Sequence, residues 1–288
     1  MLRSIIQAVF KRSSDDLGRV LQLLGPNAIG CLFCGKNMKS NAPSNRSTRY
    51  NESSQAVIPK SFFQSVCRDC SDHIPWLTSI RCRICGRGVE CSDCQRRIDP
   101  QFIMNRSAVQ YSSVMREWLA QYKYRGNENL ELLLAQMLFP AYTVLTREAA
   151  IREPLVMLEN RSFCWDAITY VPVSPERAEE RGFNQAERLA TILSRQYHMP
   201  LAHLLIRERH TEKQSFKTRS ERMQNTNRLF RAIPEQMASL QHAHSRSIKL
   251  LLIDDIYTTG STIQACAEAL HRQSSIPLDI FSLTWARS

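Results

Sequence analysis

The chain has 288 residues, 43% hydrophobic and 23% charged, which is room for one full α/β domain plus a smaller module in an ordinary globular composition. No run approaches the roughly 20 apolar residues of a membrane-spanning helix. The formal charge of +11 is uneven: residues 1–107 carry 16 Lys/Arg against 8 Asp/Glu, and residues 108–288 carry 22 against 19. A basic N-terminal third points to an acidic partner such as nucleic acid.

Residues 1–27 read as a helical extension. Met1–Leu24 is amphipathic, its apolar stretch Ile5–Phe10 stops at Lys11-Arg12, and Gly25-Pro26 ends the pattern. The stretch is too short for a signal-peptide core, so the chain is expected in the cytoplasm.

Residues 28–98 hold eight of the ten cysteines as four Cys-x-x-Cys pairs: Cys31/Cys34, Cys67/Cys70, Cys82/Cys85 and Cys91/Cys94. Reduced thiols at this spacing point to metal, because each pair supplies two ligands from one tight turn and two pairs close a tetrahedral Zn²⁺ site. Cys31/Cys34 with Cys67/Cys70, and Cys82/Cys85 with Cys91/Cys94, are the expected structural sites, although spacing alone also allows an interleaved pairing. Two four-thiolate zinc centres, each of net charge about −2, reduce the local basic surplus to about +4. Ser40–Ala56, rich in Ser and Asn, reads as a solvated, mobile insertion. Arg68, Arg81, Arg83, Arg87, Arg96 and Arg97 crowd the knuckles with Phe33, Phe62, Phe63 and Trp76 nearby. That combination can grip single-stranded DNA by charge and stacking, or the aromatics can form the module's own small core.

Over 108–288 strand-like and helix-like patterns alternate, which predicts a parallel sheet flanked by helices. Ala108–Tyr122 and Leu130–Leu145 read as helices, Ala167–Val173 as a strand, and Pro175 to Tyr197 as a helix. Leu201–Leu205 is a weaker strand, Lys249–Asp255 a buried central one, Ser261–Arg272 a helix and Ile280–Trp285 the last strand.

The buried run Leu251–Ile253 ends in two carboxylates, Asp254 and Asp255, and the turn Tyr257-Thr258-Thr259-Gly260-Ser261-Thr262 then opens a helix. Backbone N–H groups at such a turn favour an anion, the hydroxyls add donors, and Gly260 allows close approach. As a structural alternative, Thr and Ser merely cap the helix and the acids are solvated. The twelve-residue stretch resembles the 5-phosphoribosyl 1-diphosphate (PRPP) signature of type I phosphoribosyltransferases, with Tyr257 where many members carry a smaller aliphatic residue. The resemblance implies that Asp254 and Asp255 take the ribose 2′- and 3′-hydroxyls and Tyr257–Thr262 the 5-phosphate. Upstream, Ser174 ends a strand, and Arg177 and Arg181, one helical turn apart, suit the diphosphate, with Mg²⁺ bridging it to the ribose.

Tyr122-Lys123-Tyr124-Arg125-Gly126, Ser174-Pro175-Glu176-Arg177 through Arg181-Gly182-Phe183-Asn184-Gln185-Ala186-Glu187, and Arg207-x-Arg209-x-Thr211-x-x-Gln214 through Arg222-x-x-Asn225 to Phe230 resemble the ComF/ComFC family, over about residues 28–288. The resemblance implies a double zinc-ribbon module before a type I phosphoribosyltransferase-like domain, with Lys123 and Arg125 entering the PRPP site. It implies that Arg207–Asn225 closes over that site, and that Gln185 and Asn225 either serve the site or satisfy loop backbone. It further implies DNA uptake in natural transformation beside a DNA translocase. An active Mg²⁺-dependent transferase and a non-catalytic DNA-binding or translocase-docking adaptor, using PRPP as a ligand or the fold as scaffold, both fit these residues.

Overall fold

The computed structural model describes residues 30–38, 58–124, 129–152, 163–208 and 229–288. The extension 1–27, the insertion 40–56, Arg125, and 209–225 of the closing stretch lie outside the described residues.

Three short helices, α1 (Lys60–Ser65), α2 (Arg68–Asp72) and α3 (Ser92–Gln95), belong to the cysteine-rich part. Strand β1 (Met104–Gln110) follows, then α4 (Ser113–Tyr124), α5 (Asn129–Ile151), β2 (Ala167–Tyr170), α6 (Pro175–Arg181) and α7 (Gln185–Tyr197). The chain continues through β3 (Leu205–Arg207), β4 (Phe230–Ala232), α8 (Pro234–His242), β5 (Ile248–Tyr257), α9 (Ser261–Gln273) and β6 (Leu278–Arg287). The main sheet is parallel in the order β1-β6-β5-β2, with Leu251 opposite Phe281 and Met104 likewise opposite Phe281 on the other side. β3 and β4 form a separate antiparallel pair.

β5 is apolar on both faces because both are covered. Leu251 and Ile253 pack with Leu134, Leu138, Leu189 and Leu193 of α5 and α7, while Leu250 and Leu252 pack with Ile263 and Leu270 of α9 and with Leu205 and Phe230 of β3 and β4. The cysteine-rich part straddles this division: Cys31 and Phe33 join the first core, and Cys85, Cys91 and Cys94 join the second. Both sheet edges are covered as well. Residues 75–77 run along β1, with Gln110 N–H donating to Pro75 O at 2.8 Å and Leu77 N–H to Ala108 O at 3.0 Å. Residues 200–202 run along β2 through Ile168.

The α/β class, the parallel sheet and the preceding four-cysteine groups are as the sequence reads. Three readings differ. The strand read over Leu201–Leu205 lies later, as β3 at Leu205–Arg207, because 202–204 carry no strand. Residues 108–110 are not helical, because Met104–Gln110 is a strand and the helix starts only at Ser113. The single helix read over Pro175–Tyr197 is two: Gly182 caps α6 in the left-handed region, and Asn184 starts α7 by accepting from Ala186 N at 3.0 Å and Glu187 N at 3.4 Å.

Candidate functional site

Parallel sheets present their ligand sites beyond the carboxyl ends of the strands, and here that edge gathers charge. Asp254 and Asp255 end the buried part of β5, with Asp255 N–H donating to Asp254 Oδ1 at 2.8 Å. Lys123, in the last turn of α4, pairs with the Asp255 carboxylate; the two side chains are 14% and 19% exposed. Arg207 closes β3 with its guanidinium 5.6 Å over the Phe230 ring. Burial, and then the charge on Asp255, push the Asp254 carboxyl well above the ordinary carboxylate range; the Asp255 N–H, Lys123 and Arg207 oppose that rise only in part. Burial, and then the Arg177 guanidinium, press Arg207 the other way, while Cys266, Asp254 and Glu176 oppose. Two acids and three cations (Lys123, Arg177 and Arg207) from four separate elements therefore share one field.

One turn further on, Thr258, Thr259 and Ser261 are exposed, Thr262 is half-buried and Gly260 is buried with φ +82°. Thr259 Oγ1 donates to Ser261 Oγ at 3.1 Å and accepts from Ser261 N at 3.4 Å. Behind the turn, Arg287 Nη1 donates to Tyr257 O at 3.3 Å and Thr258 O at 2.7 Å, and Arg97 Nη2 donates to Thr259 O. Across a trans peptide, C=O and the following N–H point opposite ways. Carbonyls turned back at Tyr257, Thr258 and Thr259 therefore turn the N–H groups of Thr258, Thr259 and Gly260 forward, beside the N-terminus of α9. Such an arrangement of N–H groups can hold an anion.

The eight thiols gather as the sequence spacing first suggests: Cys31, Cys34, Cys67 and Cys70 in one group, Cys82, Cys85, Cys91 and Cys94 in the other, all ligand atoms of a group within 4.8 Å of one another. Four sulfurs about 2.3 Å from a tetrahedral ion stand about 3.8 Å apart, and Cys34 Sγ lies 3.7 Å from Cys67 Sγ. Both groups can bind zinc. Burial raises the Cys31 thiol, but N–H donation from Cys67, Cys34 and Phe33 outweighs it and leaves a pKa of about 7. Burial foremost pushes Cys70 and Cys94 up. The second group is seated on the sheet by Asn105 N–H to Ile84 O at 2.6 Å, and a Cβ on Gly86 would stand 2.9 Å from Asn105 O, so only glycine fits that contact.

No family model matches the chain. Over 216 residues it is 29% identical to competence protein ComFC of Bacillus subtilis, covering 72% of this chain and 78% of that protein. Over 257 residues it is 26% identical to competence protein ComFC of Streptococcus pneumoniae, covering 88% and 98%. The chain is similar to the ComF competence proteins over most of its length. Competence protein F of Haemophilus influenzae adds a 24% match over 211 residues, covering 71% of this chain and 84% of that one.

Asp254, Asp255 and Lys123 come together at the β5 end, and Thr258 to Thr262 form the adjoining turn. Tyr257 turns its ring away from the open side, against Phe102 and under Arg287, so its ring backs the turn and does not face a ligand. Ser174 caps α6, accepting from Arg177 N at 3.4 Å. Arg177 is exposed and near Arg207, whereas Arg181 donates to Gln185 Oε1 at 3.0 Å. Gln185 is buried and bonds the Phe183 carbonyl at 3.4 Å, so its amide satisfies the loop; Asn225 lies outside the described residues. Two residues behind the turn carry more than the sequence suggests. Arg97 reads as one of a surface crowd but reaches the Thr259 carbonyl, and Arg287 is simply the end of the last strand. Phe33 and Phe62 are core, Phe33 stacked 3.5 Å from Trp118. No helix among the described residues is long and apolar enough to cross a membrane.

Proposed function

We propose that the chain binds PRPP with Mg²⁺ at the carboxyl edge of its sheet and acts in DNA uptake during natural transformation, in the cytoplasm. The observation that carries the ligand is the Asp254–Asp255 pair, which faces Lys123 and Arg207 one turn away from forward-pointing N–H groups. PRPP presents the matching order of groups: cis-hydroxyls for the acids, a 5-phosphate for Tyr257–Thr262, and a diphosphate for Lys123, Arg125, Ser174, Arg177 and Arg181. Mg²⁺, when bound, would neutralise the diphosphate, with most of its ligands from substrate and water. The names of the relatives support the uptake role.

For transfer, the bond from C1 to the diphosphate oxygen breaks as the acceptor attacks C1. Lys123, Arg177 and Arg207 would then hold the departing negative charge while the two aspartates keep the ribose in place. A non-catalytic reading, in which PRPP only regulates a DNA-handling protein, has support in the exposed Arg81, Arg83 and Arg96 on the second knuckle. The deciding experiment titrates PRPP with and without Mg²⁺ into wild type and Asp254→Asn/Asp255→Asn, then measures diphosphate release on adding bases or single-stranded DNA. Mg²⁺-dependent binding lost in the variant is expected. Wild-type protein that does not bind PRPP overturns the ligand, and binding without release under any acceptor selects the regulatory reading.

A further inference from the structure

The turn after β5 is held from behind by the second four-cysteine group. Arg287, 3% exposed, places its guanidinium 4.8 Å over the Tyr257 ring. From there Nη1 reaches the carbonyls of Tyr257 and Thr258, and Nη2 lies 3.6 Å from Cys85 Sγ. Arg97 leaves the chain just past Cys94, crosses the Phe102 ring at 5.3 Å and donates to Thr259 O. Gln264 ties the same segment to α9: its Oε1 accepts from Gln101 N at 3.1 Å and its Nε2 donates to Asp99 O at 3.1 Å. Three successive carbonyls of the turn are thus fixed by two arginines anchored at one thiol group. The first four-cysteine group packs in the core on the opposite face of the sheet.

We propose that Arg97 and Arg287 are positioning residues through which the second four-cysteine group, when it holds its metal, keeps the N–H groups of Thr258, Thr259 and Gly260 aimed at a phosphate. The link to ligand affinity rests on the phosphate reading above; the link to loop geometry does not. A guanidinium released from Thr259 O frees that peptide to rotate, and a rotated peptide presents its carbonyl to the anion. The second group is therefore part of the anion site, acting through the two arginines.

The test uses the full chain and reads two quantities: amide hydrogen exchange at Thr258–Gly260 without ligand, and the Kd for PRPP with Mg²⁺. Arg97→Ala is expected to speed exchange at those three amides while Leu250–Ile253 in the same strand stays protected. It should weaken PRPP about tenfold, the effect of losing one hydrogen bond from a charged donor, with two zinc ions per chain retained. Arg97→Lys, which keeps charge but not the fork, should recover only part of the affinity. Cys91→Ser/Cys94→Ser is expected to lose one zinc and loosen the same amides, whereas Cys31→Ser/Cys34→Ser loses one zinc and leaves them protected. Unchanged loop exchange in Arg97→Ala, or equal loosening by the two cysteine variants, overturns the proposal. Should Cys91→Ser/Cys94→Ser fail to fold, Arg97→Ala decides alone. Wild-type failure to bind PRPP sinks the ligand reading, while the exchange arm still decides the coupling.

Discussion

The Tyr257 hydroxyl occupies the space into which a side chain on Gly260 would project, so the ring of one residue fixes the identity of the other. Tyr257 is 1% exposed, and its Oη has no hydrogen-bond partner, which marks this as packing chosen over polar satisfaction. Gly260→Ala meets both the ring and a φ of +82°, and Arg97 Nη2 stands 2.9 Å from the new Cβ. We expect a loss of about 2 kcal/mol of stability, with PRPP binding abolished. Adding Tyr257→Phe should recover only a small part of the stability, because the hydroxyl clash goes while the ring carbon Cζ still stands 2.5 Å from the new Cβ and the backbone strain stays. A double-mutant cycle by urea denaturation checks this, and strict additivity would separate the two residues.

Asp254 is held at a raised pKa by burial and by Asp255, so its ionised form is less favourable in the folded chain than in the unfolded one. The sign follows: below the ordinary carboxylate pKa the group is protonated in both states and costs nothing. As pH rises from that value through the raised one, the unfolded chain loses its proton first and stability falls. Asp254→Asn removes this slope. It should be more stable than wild type by about 1 kcal/mol at pH 8, with the gap closing toward pH 4, and yet not bind PRPP. Urea midpoints at both pH values test it. A variant less stable than wild type at pH 8 would show that the carboxylate stabilises the empty site.

Phe33 lies between the ligands Cys31 and Cys34 and stacks on Trp118 of α4 at 3.5 Å, almost parallel. Metal in the first group should therefore be readable in tryptophan emission. Chelation is expected to change the emission of wild type, and the change should vanish in Trp118→Phe. The pH dependence has a definite sign. With Cys67 and Cys70 raised, and Cys31 at about 7, these three thiols still carry protons at neutral pH, so zinc entry releases protons and its affinity falls as pH drops from 8 to 6. Calorimetry in buffers of different ionisation heat measures the release. Chelation that leaves the emission untouched would place the stack outside the metal's influence.

What was legible in the sequence follows from burial. β5 shows as a continuous apolar run because both its faces are covered, and the acid pair shows because charge at the end of such a run has few structural uses. β1 is hidden for the opposite reason: Asn105, Arg106 and Ser107 are buried but satisfied by Ser282, Glu148 and Thr284 on distant elements, so the strand reads as polar. Arg97 and Arg287 were illegible as site residues because their partners are carbonyls, which every residue has. The one available sign was that Arg287 ends the strand lying beside β5.

The same contacts redraw the basic surface that a nucleic acid could meet. Arg97 is committed to Thr259 O, Arg87 donates to Ser288 O at 2.9 Å, and Arg68 pairs with Asp72 at 3.3 Å. Arg81, Arg83 and Arg96 are exposed, and of these only Arg96 bonds its own helix, at Ser92 O. With Phe33 and Phe62 in the core, charge rather than stacking on those rings has to supply any DNA contact of the knuckles. Each phosphate neutralised on a single strand adds about 0.7 to the slope of log affinity against log salt. Replacing Arg81, Arg83 and Arg96 by Gln should lower that slope by about 2 and leave PRPP binding intact. Fluorescence anisotropy of a labelled single strand between roughly 50 and 200 mM salt measures it. An unchanged slope would move the DNA contact off the second knuckle, and a loss of PRPP affinity in the same variant would mean these arginines also serve the turn beside them.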